Sequence, residues 1–210
     1  MGKGMLRTCG IGLTVFGCGG VLMGLEIVGG RILSPDFGSG VWVWGSVISI
    51  FLAALSFGYF AGGLLSQRFP HGLGLAVVIA AAALSILPVA FWYRPISGWF
   101  AELGLHERWG SLAAATSLFF VPSMLLGIVS PYAIRLVARD IASIGTRAGT
   151  LYAISTIGSF LGCLLTSFYL ILWLGITQIL YLSAGALLAI ALLLLATWYA
   201  RGARTGARDL

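Results

Sequence analysis

Charge is what this sequence has least of. Only 9% of its 210 residues are charged and just 6 are acidic, against 60% hydrophobic and a mean hydropathy of +1.04. Soluble domains carry about 25% charged residues, so a chain wetted on all sides is excluded. Histidine and cysteine are scarce too, at 2 and 3 residues. Cys9, Cys18 and Cys163 show no paired spacing, which excludes a disulfide framework and a Cys/His metal centre. Two of them lie within apolar runs, where a free thiol acts as a small hydrophobe. His71 and His106 sit in connections with no ligand partner nearby and read as solvated. Paired carboxylates, a Ser/His/Asp set and a Gly-rich strand-to-helix fingerprint are all missing, so neither enzyme chemistry, nor a cofactor, nor a metal is expected. The net charge of +6 does not point to nucleic acid, because the basic residues separate apolar runs and form no basic face.

What the sequence has instead is long apolar runs. At roughly 20 residues per crossing, six spans are expected near 10–33, 41–67, 72–93, 111–137, 149–173 and 177–200. The fold class is therefore an all-α polytopic membrane protein, a single transmembrane domain over 1–210 in a lipid bilayer. Lys3 and Arg7 precede the first run as in a signal peptide, but no A-x-A-like site follows, so an uncleaved span is expected. With both termini cytoplasmic, Lys3, Arg7, Arg68, Arg135, Arg139, Arg147, Arg201, Arg204 and Arg208 lie inside. Only Arg31, Arg94 and Arg108 then lie outside. Nine against three satisfies the positive-inside rule. Trp42, Trp44, Trp92, Trp99, Trp109 and Trp173 read as interface anchors at the outer ends.

Glycine contributes 30 residues, several spaced four apart. Gly20/Gly24, Gly58/Gly62 and Gly158/Gly162 are small-xxx-small pairs that let helices meet backbone to backbone. SFGYFAGGLLS (56–66) lies over TIGSFLGCLLT (156–166) with five identities in eleven positions. A weaker echo relates LMGLEIVGGRILSPD to LLGIVSPYAIRLVARD. Matches between spans two and five, and one and four, which cross in opposite directions, point to a 3+3 inverted repeat. Repeat one covers about 10–93 and repeat two about 111–200.

Glu26, in MGLEIVGGRIL (23–33), is an acid inside a span. A charge at mid-span costs on the order of 3 kcal/mol on insertion scales, so it needs protonation or a partner. Arg31, about 140° further around the helix, is an imperfect partner and is expected to reach the interface or Asp36. Glu26 is a candidate proton or cation site, or a buried hydrogen bond that fixes helix packing. Arg31 and Tyr59 complete the transport or binding candidates. In SPYAIRLVARD (130–140), Pro131 with Arg135 and Asp140 reads as a hinge with a charge latch toward Gln67 or Arg68, or as a kinked helix with ordinary anchors.

Together these segments resemble one six-span half of a major-facilitator transporter. GGLLSQRFPHG (62–72) is similar to the family's loop between helices two and three, and GTLYAISTIGSFLG (149–162) to its Gly-rich helix five. A closer resemblance is to the membrane portion of bacterial proteins that fuse a facilitator-like half to a spermidine-synthase-like domain. It rests on GLEIVGGRILSPDFGSGVWVWGS, FLAALSFGYFAGG and LLGIVSPYAIRLVARD. Gln67 replaces the family's acidic loop residue, and no synthase domain is present. The resemblance implies an inner-membrane half-transporter for a small, polyamine-like solute. Such a half would act as a homo-oligomer or with another membrane protein. The alternative is a non-transporting subunit that docks on a larger membrane complex or recruits a separate synthase-like enzyme.

Overall fold

Backbone N–H and C=O groups find no partner in hydrocarbon, so apolar runs of this length fold as helices that satisfy their own hydrogen bonds. The computed structural model describes the backbone of residues 2–138 and 144–206 and the side chains of residues 8–138 and 144–199. The elements are α1 (Gly2–Phe37), α2 (Val41–Arg68), α3 (Gly72–Glu102), α4 (Glu107–Val137) and α5 (Ile144–Leu165). A π-helical turn (Thr166–Leu170) follows, then the short α6 (Ile171–Trp173) and α7 (Ile176–Gly206). Six stretches are long and apolar enough to cross a bilayer: Thr8–Phe37, Val41–Arg68, Gly72–Glu102, Glu107–Val137, Ile144–Trp173 and Ile176–Tyr199. This is the architecture of a membrane protein.

Several helices run further than the sequence suggests. In α1, Pro35 sits inside the helix, Ser34 donates to the Gly30 carbonyl at 2.6 Å, and the turn falls at Gly38, φ +80°. Only glycine takes that backbone without strain. The expected long connection after residue 93 is mostly helical. α3 continues through Pro88 and Pro95 to Glu102, and only residues 103–106 join it to α4, turning at Gly104, φ +66°. Ser97 and Ser111 in this region are buried, so the segment packs rather than loops out. Ser97 donates to the Asp36 carboxylate, tying α3 to the end of α1. Arg147 donates to the Val137 carbonyl at 2.6 Å, which supplies a donor to the end of α4.

Short connections make successive helices antiparallel. α2 lies mainly along α4, and α5 mainly along α1. α3 packs on α7 and α4, and α1 also touches α4 and α7. Between α2 and α4, Phe51 meets Phe119 at 5.7 Å between ring centroids, and the Ser46 and Ser111 hydroxyls bond at 3.0 Å. Each satisfies the other in the dry core.

The glycines set these approaches. A methyl at Gly58 would strike the Met124 carbonyl and the Gly127 backbone, and one at Gly62 would stand 2.7 Å from the Ile128 carbonyl. A methyl at Gly158 would strike the Phe16 backbone, and one at Gly162 that of Gly20. A methyl at Gly20 would stand 3.2 Å from the Gly158 carbonyl, and one at Gly24 2.9 Å from the Thr166 hydroxyl. These helices touch through backbone, as small-residue faces permit.

Candidate functional site

Where α1, α2, α4 and α5 come together they form a partly open cavity of about 170 Å³, with Tyr59, Tyr152 and Thr156 exposed at its rim. Its lining residues all lie at least seven residues inside their spans. Six hydroxyl residues line it at that depth: Tyr59, Ser130, Tyr152, Ser155, Thr156 and Ser159. Thr156 donates to the Tyr152 carbonyl at 2.9 Å and Ser159 to the Gly19 carbonyl at 3.2 Å. Tyr59, Ser130, Tyr152 and Ser155 have no side-chain hydrogen bond among the described residues. The remaining wall is aliphatic or small, from Val15 and Leu22 to Leu126 and Val129. No aspartate, glutamate, lysine, arginine or histidine lines it.

Eight of the fourteen lining residues are paired. Adding 100 to a residue of α2, or 108 to one of α1, takes one wall to the other. Leu55 goes to Ser155 and Tyr59 to Ser159; Cys18 goes to Leu126 and Leu22 to Ser130. All eight line the cavity. The same offsets relate the glycine contacts: Gly58 on Met124 to Gly158 on Phe16, Gly62 on Ile128 to Gly162 on Gly20, and Gly127 on Leu55 to Gly19 on Ser155. The letters of span two and span five carry this offset of 100. The echo between spans one and four does not: LMG and LLG lie 103 apart, five residues from the register that the packing sets.

Glu26 does not line the cavity. It follows Leu22 by four residues and Met23 by three, so it lies on the cavity-facing stripe one turn, about 5.4 Å, nearer the Gly38 end. It is half-buried and makes no hydrogen bond or ion pair among the described residues. Arg31 is exposed and meets neither Glu26 nor Asp36. Asp36 is bonded by Ser97 instead, because the longer α1 carries it to α3.

The hinge and latch candidates do not converge. Pro131 lies inside a continuous α4 with its ring against Gly62, 2.7 Å from where a methyl would stand. Gln67, Arg68 and Arg135 are exposed and form no ion pair among the described residues. Arg68 lies 5.9 Å over the Phe69 ring, and Asp140 lies outside the described residues. The α2–α3 turn is held by a residue the sequence did not flag. Tyr132, fully buried in α4, donates its hydroxyl to the carbonyls of Phe69 and His71. Its signal was faint: one tyrosine among aliphatic residues, opposite a glycine, Gly74, that leaves room for the ring.

No group of three or more His, Cys, Asp or Glu comes together among the described residues. Comparison with family models, with curated proteins and with solved structures finds none that matches the chain.

Proposed function

We propose that the chain is a facilitator-like half-transporter, built as a 3+3 inverted repeat, that carries a small solute through the α1/α2/α4/α5 face and works as an oligomer. The observation that carries the reading is the paired cavity. Inverted-repeat transporters place their substrate site near the bilayer midplane at the repeat interface, and this hydroxyl-lined space has its walls related by one exchange of α1 with α4 and α2 with α5. The same exchange maps α2 on α4 to α5 on α1, and α3 on α4 to α7 on α1. The membrane is the bacterial cytoplasmic membrane and both termini are cytoplasmic, in keeping with the arginine distribution. No enzymatic step is assigned to the chain.

A second reading, a non-transporting subunit covered by another membrane protein, draws on one observation. Only 11% of the apolar stretch of the fifth span is buried, against 56% of the fourth. Flux by the purified protein in liposomes separates the readings. Flux lost in Glu26→Gln with unchanged unfolding would add Glu26 to the path. Absence of flux over a broad solute panel, with one different polypeptide co-purifying at fixed stoichiometry, would replace the first reading by the second.

A further inference from the structure

We infer that the cavity between α1, α2, α4 and α5 binds a small uncharged solute that both donates and accepts hydrogen bonds, of the polyol or amide class, and not a polyamine. The inference rests on the reading of this face as a solute path, and the experiment below separates the two.

Three observations carry it. The first is charge: no aspartate, glutamate, lysine, arginine or histidine lines the space, so its wall is uncharged at neutral pH. Glu26 is the nearest acid along α1, and it stands a turn outside the wall. A dication entering here would leave water for a low-dielectric space with at most one counter-charge, which the space itself does not supply. An anion would find no counter-charge at all.

The second is the hydroxyl set. Tyr59, Ser130, Tyr152 and Ser155 come from α2, α4 and α5, so they approach the space from both paired walls. Ser130 and Ser155 are half-buried and Tyr59 and Tyr152 are exposed at the rim, and with no side-chain hydrogen bond among the described residues all four are free to bond a molecule in the cavity. A hydroxyl both donates and accepts, as do alcohols and amides, whereas an ammonium only donates and a carboxylate only accepts.

The third is size. About 170 Å³ falls below the roughly 300–1,000 Å³ typical of pockets for drug-sized ligands. That volume suits solutes of the size of glycerol, erythritol, urea and acetamide; putrescine, no bulkier than erythritol, is set apart by its charge and not by its size.

The test uses the full chain in lipid nanodiscs, with Cys9, Cys18 and Cys163 replaced and one reporter cysteine, Thr156→Cys, in the wall. A small methanethiosulfonate reagent labels it in the presence of glycerol, erythritol, urea, acetamide, putrescine or spermidine. Ser159→Cys serves as a second reporter should the first variant misfold, and Phe168→Cys, exposed on the same span, as the control. A polyol or amide at ten times its half-protecting concentration should slow labelling of the wall reporter about tenfold, and leave the control unchanged. Adding Tyr59→Phe should raise the half-protecting concentration about fivefold, the worth of one hydrogen bond. Stronger protection by putrescine or spermidine, protection by no solute, or failure of both wall reporters to label would overturn the inference. Flux measured on the same protein keeps the two readings apart. Protection by a polyol without flux upholds the site and removes the transport reading; flux of putrescine with protection by putrescine does the reverse.

Discussion

Gly62 and Gly63 are neighbours in α2, and alanine at the two positions should have opposite effects. A methyl at Gly62 would stand 2.7 Å from the Ile128 carbonyl and 2.9 Å from the Ile128 Cα, both backbone atoms of α4 that cannot rotate away. At Gly63 nothing lies within 4 Å. Each replacement gains about 1 kcal/mol of intrinsic helix preference over glycine. Only Gly62→Ala also suffers overpacking, at about 1–3 kcal/mol. The helix preference cancels between the variants, so their difference isolates the clash: Gly62→Ala should be about 1–3 kcal/mol less stable than Gly63→Ala. Reversible unfolding in mixed micelles with increasing dodecyl sulfate, followed by far-UV circular dichroism, measures it. Gly162→Ala, against the Gly20 backbone, should lose a similar amount relative to Gly149→Ala, which has open space around it. Equal midpoints for Gly62→Ala and Gly63→Ala would refute backbone-level contact between α2 and α4.

Tyr132→Phe should cost about 1 kcal/mol for the lost hydroxyl and speed tryptic cleavage after Arg68, since the α2–α3 turn loses its tie to α4; unchanged cleavage would count against that tie. Ser97→Ala should lower the unfolding midpoint by about 1 kcal/mol through its bond to Asp36, and Asp36→Ala should then add little, a double-mutant cycle being the measurement. Single cysteines at Gly38 and Gly104 should be labelled from outside intact cells by an impermeant maleimide while one at His71 is not; the reverse pattern would invert the assigned orientation.

Six spans were legible because each is a run of hydrophobicity that needs no knowledge of its neighbours. Where the runs ended was less legible. The stretch after residue 93 carries Pro95, Gly98, Glu102 and Gly104 and reads as a loop, yet buried Ser97 and its bond to Asp36 keep it helical. Such a bond joins residues 61 apart, beyond any local pattern. Glu26 stood out by its charge against an apolar background. The hydroxyls of α5 did not, because serine and threonine are common in spans and bond harmlessly to their own helix; Tyr152, Ser155 and Ser159 become a wall only when α5 is laid along α1. Tyr59 was singled out within a repeated segment whose alignment already sets Ser159 opposite it, but that both face one cavity follows from the packing alone. The π turn has no sequence signature that we recognise.

The exchange that carries α1 onto α4, α2 onto α5 and α3 onto α7 has a consequence for biogenesis. If that exchange is the inverted repeat proposed above, a bundle whose contacts look alike from either face of the bilayer gives the insertion machinery no shape by which to tell up from down. The choice then falls to a handful of arginines in the turns, of which Arg68 and Arg135 are exposed while Arg147 also ties the end of α4. Relocating exposed ones such as Arg68 and Arg135 would then turn the whole molecule over in the membrane without touching its buried core.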